Sequence, residues 1–180
     1  MYIQTQKTPN PNSLKFIPGK NVSKIGSIEI HDKSETDNVL LKSIFDINGV
    51  NSIFLDETFL TINKREENNW EDIKHIILSL LNDYYINGKE TILDKQIVQK
   101  KNENYQEIEK QIIKILETKI KPAVARDGGD IKFVEFKEGV VKVQLRGSCA
   151  GCPSSIITLK QGVQNLLTHY IPDVKQVTAV

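Results

Sequence analysis

The sequence predicts an α+β protein of two small domains, and three observations support this. Apolar residues recur every three or four positions in four segments, which is typical of amphipathic helices. Between them lie short apolar runs bounded by Gly, Pro, Asn and Asp, which is typical of strands. A polar stretch at residues 88–103 separates two halves that each carry their own apolar pattern. We therefore predict domains at residues 1–87 and 104–180, joined by a linker at 88–103.

The first domain begins with a loop at residues 8–13 (TPNPNS), because proline fixes φ and pushes the preceding residue into extended geometry. The spacing of apolar residues places the following elements. They are a strand at 14–17, a helix at 39–45, a hairpin with strands 50–55 and 59–62, and a helix that begins at Trp70 and ends near Asn87. The apolar face of this last helix is predicted to contain Trp70, Ile73, Ile77, Leu80 and Tyr84.

The second domain is predicted to run helix, strand, strand, helix, strand. Its first helix carries an apolar stripe formed by Tyr105, Ile108, Ile112, Ile115, Leu116 and Ile120. This helix is predicted to end at residues 127–130 (DGGD), because glycine tolerates the left-handed geometry of a helix C-terminus. The later elements are strands around 131–133 and 140–145, a helix at 156–170 and a strand at 174–180. The last three form a strand–helix–strand crossover, and a C-x-x-C sequence lies where its helix begins.

Charge and composition restrict the classes of function. The formal net charge is only +1, which argues against general nucleic-acid binding. No apolar run approaches the roughly 18 residues of a membrane span. The first residues lack the pattern of a signal peptide or of an Arg- and Ser-rich transit segment. These features predict a cytoplasmic, bacterial-type protein, with a mature mitochondrial-matrix form as the alternative.

Cys149 and Cys152 are the only cysteines, and they are the candidate metal ligands. Pro153 suits the first position of a helix, and Gly147 and Gly151 permit a tight backbone around the two thiols. N–H groups at a helix start lower the pKa of nearby thiols and so favour the thiolates that bind metal. Arg146 adds a positive charge, so the segment suits an anionic iron–sulfur centre.

A C-x-x-C pair alone leaves several interpretations open. The three interpretations are a buried pair without chemical function, a zinc site and a redox-active dithiol. Too few residues follow Cys152 to complete a thioredoxin-like fold, and a structural zinc site needs four ligands. Any metal centre must therefore borrow ligands, most simply from a second copy of the chain. His31, His75 and His169 are scattered along the sequence and are expected to be ordinary histidines.

Two blocks of sequence resemble the NifU/Nfu family. The first lies in the N-terminal half and the second in residues 121–180. The matching segments are Gln4-Thr5, residues 8–16 (TPNPNSLKF), Pro18-Gly19 and residues 48–50 (NGV), and then residues 122–124 (PAV), 127–130 (DGGD), 147–155 (GSCAGCPSS) and Ile171-Pro172. The departure is at residues 34–41 (SETDNVLL), where the family has a Ser-Pro-Leu-like helix start. Here Asp37 is expected to cap the helix.

The resemblance implies a scaffold or carrier of iron–sulfur clusters that is not an enzyme. Cys149 and Cys152 would bind a [4Fe-4S] cluster that bridges two protomers, so the loaded form would be a homodimer. An upstream assembly scaffold would supply the cluster, and apo iron–sulfur proteins would receive it. The rival hypotheses are a thiol–disulfide oxidoreductase and a dimeric zinc-binding interaction module.

Overall fold

The computed structural model describes residues 2–94, 105–151 and 153–180, with the side chains of residues 153–155 left aside. The chain divides into two compact units, Met1–Gln99 and Lys100–Val180. Each contains both helices and strands around its own apolar core. The predicted α+β class with two small domains is therefore confirmed.

The described residues of the first unit form a five-stranded sheet, two α-helices and a short 3-10 helix at Lys33–Glu35. Its elements are β1 (Gln4–Lys7), β2 (Ser13–Ile17), β3 (Ile28–Ile30), α1 (Val39–Phe45), β4 (Val50–Leu55), β5 (Leu60–Lys64) and α2 (Trp70–Ile86). The strand order is β1-β2-β5-β4-β3, and all neighbours are antiparallel. The predictions omitted β1 and β3. Both are short strands at the two sides of the sheet, and neither carries a run of apolar residues.

The core-facing side of α2 includes Ile73 and Ile77 as predicted, but its deepest residues are shifted towards Leu81 and Tyr85. Ile73, Ile77, Leu81 and Tyr85 are buried, whereas Trp70, Leu80 and Tyr84 pack only partly against the core. Apolar residues form two adjacent stripes along this helix, each with a spacing of three or four residues. The spacing alone therefore did not show which stripe is more deeply buried.

Asn38, and not Asp37, caps the start of α1. The Asn38 side-chain oxygen accepts hydrogen bonds from the backbone N–H groups of Leu40 at 2.9 Å and Leu41 at 3.3 Å. These are two of the N–H groups that a helix start leaves without an intrahelical partner. Asp37 instead lies 3.4 Å from the Lys42 ammonium at the surface.

Residues 91–93, which fall inside the predicted linker of 88–103, pack on the first unit. Ile92 is buried, and the N–H groups of Ile92 and Leu93 both donate to the carbonyl of Val22 at 3.0 Å. The Lys24 N–H donates to the Leu93 carbonyl at 2.8 Å. Residues 95–103 of the predicted linker lie outside the described residues.

The second unit has the predicted order of helix, strand, strand, helix, strand. Its elements are α3 (Glu107–Ile115), a π-helical turn (Leu116–Ile120), α4 (Lys121–Arg126), β6 (Gly129–Lys137), β7 (Val140–Gly147), α5 (Pro153–Tyr170) and β8 (Gln176–Ala179). β6 and β7 form an antiparallel hairpin, and β8 lies parallel to β7. The strand–helix–strand crossover is therefore confirmed.

The wide π turn lies just before Pro122. Proline has no N–H to donate to the carbonyl four residues earlier, so a regular α-helix cannot continue through it undisturbed. The chain responds with a bond from the Lys121 N–H to the Leu116 carbonyl, five residues back.

No described helix is long and apolar enough to span a membrane.

Candidate metal centre

Cys149 lies in the turn that follows β7, at the start of the connection to α5. Its side chain is 7% exposed and packs in the apolar core of the second unit. The turn is closed by a hydrogen bond from the Ala150 N–H to the Gly147 carbonyl at 3.1 Å. Gly147 and Gly151 have φ values of +63° and +77°, which other residues adopt only with strain. The two predicted glycine positions are thus needed for the turn.

Cys152, the other predicted ligand, lies outside the described residues. The helix α5 begins directly after it, with Pro153 as its first residue. Proline is favoured there because its missing N–H would have no partner in the first turn of a helix. Among the described residues, no three His, Cys, Asp or Glu side chains converge to hold a metal ion.

The DGGD segment at residues 127–130 holds the cysteine turn in place. The Ser148 hydroxyl donates to the Asp127 carbonyl at 2.5 Å, and the Ser148 N–H donates to the Gly128 carbonyl at 3.2 Å. Gly129 then pairs with Gly147 across the β6–β7 ladder. Because Ser148 precedes Cys149, these bonds fix the backbone from which the thiol projects.

Gly129 lies against Cys149, a contact that the sequence analysis did not predict. A Cβ atom placed on Gly129 would lie 2.4 Å from the Cys149 sulfur and 2.9 Å from the Arg146 carbonyl oxygen. Gly128 is the residue with a left-handed φ, +82°, and it alone explains the end of α4. Gly129 is therefore required for space: its missing side chain leaves the volume that the thiol occupies. A helix end needs only one glycine. The second glycine of the DGGD segment was therefore the sequence signal for a close contact at this position.

Asp130 lies under the same segment and is engaged by a lysine. Its carboxylate is 3% exposed, and the Lys121 ammonium lies 3.5 Å from Oδ1. The structure therefore gives Asp130 of the DGGD segment a lysine as its charge partner.

The histidines have local neighbours. His31 lies 3.9 Å from the Glu29 carboxylate, the Nδ1 atom of His75 lies 3.0 Å from the Glu71 carbonyl, and His169 stacks edge-on against Tyr170.

The side chains with clearly shifted pKa values lie away from the cysteine turn. A hydrogen bond from Lys142 lowers the pKa of the exposed Glu135, and a hydrogen bond from Ser34 lowers that of the exposed Asp32.

Comparison with known families gives two matches in sequence order. A family model described as "Scaffold protein Nfu/NifU N terminal" matches residues 3–88, and one described as "NifU-like domain" matches residues 112–178. Together they cover most of both units.

Similar proteins were found among curated sequences. NifU-like protein 5, mitochondrial, of Arabidopsis thaliana is 42% identical over 98% of this chain and 67% of its own length. NifU-like protein 4, mitochondrial, of the same plant is 42% identical, and this chain spans 65% of its length. The NFU1 iron-sulfur cluster scaffold homolog, mitochondrial, of Drosophila simulans is 41% identical over the whole chain, which spans 65% of that protein.

Among solved structures, the solution structure of a NifU-like protein from Saccharomyces cerevisiae matches 53% of this chain and 87% of its own, with 34% identity and a TM-score of 0.49. The crystal structure of protein SAV1430 from Staphylococcus aureus matches 44% of this chain and 98% of its own, with 25% identity and a TM-score of 0.39.

Proposed function

We propose that this chain, which belongs to the NifU/Nfu family of iron–sulfur cluster scaffold proteins, carries a [4Fe-4S] cluster on Cys149 and Cys152 and transfers it to apo client proteins. The observation that carries this proposal is the cysteine turn. Its glycines, its bonds to the DGGD segment and the space left by Gly129 all serve to position one thiol at a helix start. A cysteine with only a packing role would not need glycines at three positions around it.

Ligand counting gives the loaded form. A [4Fe-4S] cluster takes four thiolates, and each chain has two cysteines. We therefore propose that two chains share one cluster, so that loading drives dimerisation because the bridging bonds exist only in the dimer. Cys149 is 7% exposed in the structure. Loading must consequently turn this thiol outwards, and the neighbouring left-handed Gly151 is the natural place for that rearrangement.

Native mass spectrometry of anaerobically loaded protein tests the shared cluster. We expect about four irons per dimer, and we expect Cys149→Ser and Cys152→Ser to abolish both the cluster and the loading-induced dimer while far-UV circular dichroism stays unchanged. Gly162→Ala is the matched control, because this α5 position has no heavy atom within 4 Å of an added Cβ. A dominant monomer carrying four irons would refute the shared cluster.

Direct delivery is tested with an apo [4Fe-4S] enzyme as the acceptor. Loaded protein should restore enzyme activity faster than the same amount of free iron and sulfide, and an iron chelator should slow this only slightly. If the chelator abolishes activation, the cluster is released into solution before capture.

The two rival functions are distinguished by simple assays. A thiol–disulfide oxidoreductase would reduce insulin catalytically, whereas a carrier shows little turnover. A zinc module would be colourless, whereas a cluster carrier purified anaerobically is brown and contains iron and acid-labile sulfide. We propose the carrier, and no enzymatic activity, because the matched family model and one relative are named as scaffolds.

For location, we propose the mitochondrial matrix in place of the bacterial cytoplasm. The relatives reported above carry the word mitochondrial in their names. Immunodetection in matrix and cytosolic fractions of the source cells tests this, and a signal confined to the cytosol would reject the proposal.

For the domains, we propose that residues 104–180 fold alone and bind the cluster, and that residues 1–87 fold alone and bind none. A first fragment extended to residue 94 should be more stable than one ending at 87, because it keeps the bonds of residues 91–93 to Val22 and Lys24. Urea unfolding of the three fragments checks this, and a non-cooperative transition in either short fragment would contradict the boundaries.

A further inference from the structure

We propose that the first unit contains a second binding site, a cleft between β1 and the start of α2 that takes an acidic peptide segment of a partner protein. The cleft has a volume of about 540 Å³. Its walls include Thr5 and Lys7 of β1, Trp70 and Lys74 of α2, and Pro11 of the loop at residues 8–13. This volume is within the range of sites that hold ligands or a few peptide side chains. The proposal goes beyond the cluster-carrying function and does not depend on it.

Strand register explains why these residues converge. Thr5 pairs with Phe16 and Lys7 pairs with Leu14 in the β1–β2 ladder. Residues directly opposite each other in an antiparallel pair point to the same face. Phe16 and Leu14 are buried in the core beneath the helices, so Thr5 and Lys7 face the helix-bearing side as well. Trp70 and Lys74 are four residues apart and therefore share a face of α2.

The wall formed by residues 8–13 is built before any ligand arrives. The Thr8 hydroxyl donates to the Asn10 carbonyl at 2.9 Å, and the Asn10 side-chain oxygen accepts from the Asn12 N–H at 2.9 Å. The Trp70 indole N–H donates to the Pro11 carbonyl at 3.0 Å, which ties the loop to α2. A preformed wall lowers the entropy lost on binding. The loop and Trp70 were prominent in the sequence, and the cluster-carrying function uses neither.

The charge of the cleft selects an anionic ligand. Lys7 and Lys74 both line it, and neither side chain forms an ion pair or hydrogen bond within the part of the chain that the structure describes. Glu71 and Asp72 belong to the first turn of α2, but they are exposed and do not line the cleft. Two ammonium groups without carboxylate partners in a cleft that an aromatic ring also lines therefore favour a segment with both carboxylates and apolar residues.

The edge position of β1 favours a peptide over a small anion. β1 pairs only with β2, and no described strand lies on its other side. An exposed strand edge can accept an extended segment through backbone hydrogen bonds, while side-chain pockets beside it supply specificity. An acidic extended segment uses both features, the backbone edge and the lysines. A small anion uses the lysines alone.

Fluorescence anisotropy of the full chain with a labelled peptide tests the proposal. The probe is an eight-residue peptide that alternates glutamate with valine or threonine, and the control peptide has glutamine in place of glutamate. We expect saturable binding of the acidic peptide only. Lys7→Glu and Lys74→Glu should each weaken it at least tenfold, and Lys20→Glu should change it less than twofold, because Lys20 is an exposed lysine outside the cleft.

Three outcomes would overturn the proposal. Equal losses in all three variants would mean unspecific attraction to net charge. Equal binding of the glutamine peptide would remove the role of the lysines. Free citrate that binds as tightly as the peptide, measured by calorimetry, would make the cleft a small-anion site. Lys74→Gln removes the charge of the lysine without introducing the opposite one. Urea unfolding of each variant, followed by Trp70 fluorescence, shows whether the chain is still folded. An unchanged unfolding midpoint means that a loss of binding is not a loss of folding.

Discussion

The loop at residues 8–13 of the first unit and the loop at residues 147–151 of the second are both held firmly, but by different kinds of partner. In the first loop, Thr8 and Asn10 bond to groups within five residues of themselves, while Trp70 and Lys64 bond to Pro11 and Asn12 from α2 and β5. In the second, Ser148 bonds to Asp127 and Gly128, and Cys149 fills the space over Gly129. Thr8 and Asn10 are thus held by local bonds while distant residues tie down Pro11 and Asn12, whereas the position of Cys149 depends on the distant DGGD segment.

This difference teaches where each loop is vulnerable. A substitution in the first loop removes one of several overlapping short-range bonds. A substitution in the DGGD segment displaces a thiol that is about twenty positions away in sequence but in direct contact. The comparison predicts that changes to the second loop cost more stability and act on iron loading, whereas changes to the first loop leave iron loading intact.

The largest effect is expected for Gly129→Ala. The added Cβ would lie 2.4 Å from the Cys149 sulfur and 2.9 Å from a backbone carbonyl oxygen, and the carbonyl cannot move without disturbing β7. Overpacking of this kind costs roughly 1–3 kcal/mol of unfolding free energy. We expect a value near the top of that range and at least a tenfold loss of reconstituted cluster, measured by urea unfolding and by iron content.

Gly162→Ala is the control for Gly129→Ala. Gly162 lies in α5, and an added Cβ would have no heavy atom within 4 Å. Replacing an exposed helical glycine by alanine stabilises a protein by about 0.5–1 kcal/mol. Normal iron content is expected for this variant. Similar iron loss in both glycine variants would break the proposed link between Gly129 and the thiol.

Ser148→Ala should have the next largest effect. It removes the hydroxyl that donates to the Asp127 carbonyl at 2.5 Å, while the backbone bond to Gly128 remains. Ser148 is 2% exposed, so the carbonyl loses its donor with little access to water. The expected cost is about 1–2 kcal/mol. Cluster loading should fall several-fold, as judged by visible absorbance, and full retention of the cluster would mean that the backbone bond alone positions Cys149.

Thr8→Val makes the matching change in the first loop. It keeps the shape of the side chain but removes bonds to the Asn10 and Ser13 carbonyls. We expect a loss of about 1 kcal/mol, visible in urea unfolding followed by Trp70 fluorescence, and unchanged iron content. Ser43→Ala is the control, because that hydroxyl bonds to a carbonyl on the exposed surface of α1. A loss of iron in Thr8→Val would break the comparison between the loops.

The same contrast between local and distant partners explains how much the sequence could predict. Turn residues and apolar spacing predicted both α-helices of the first unit, the β4–β5 hairpin and the helix, strand, strand, helix, strand order of the second unit, but not the π turn in its first helical segment. The position of Pro153 at the start of α5 was also predictable, because proline acts on its own backbone. Such features depend on residues close in sequence.

What the sequence did not show depends on contacts between distant residues. The Gly129–Cys149 contact and the Lys121–Asp130 pair join residues that only the folded β6–β7 hairpin and the π turn bring together. β1 and β3 escaped prediction because edge strands need few apolar residues. Asp37 and Asn38 are adjacent, and apolar spacing does not locate the start of a helix to a single residue. The sequence therefore did not show which of the two caps α1.

The smallest expected effect, and a way to separate the two units, is the alkaline behaviour of Tyr85. Burial in the first unit raises the pKa of its hydroxyl well above the usual value, and Tyr84 adds to the shift. Below about pH 9 both the folded and the unfolded chain keep this proton, so Tyr85 makes no difference. As the pH rises past 10, the unfolded chain loses the proton while the folded chain retains it, and stability falls.

Tyr85→Phe tests this through the pH dependence of stability. At neutral pH the variant loses the bond from the hydroxyl to the Asn21 carbonyl, so the comparison uses the change between pH 8 and pH 10.5. Over that range the wild-type chain should lose up to about 1 kcal/mol more than the variant. The single tryptophan, Trp70, reports the first unit, while iron content reports the cysteine loop. The first unit should weaken more in the wild type than in the variant, because Tyr85 belongs to its core. Equal alkaline losses in both proteins would show that Tyr85 does not carry the effect.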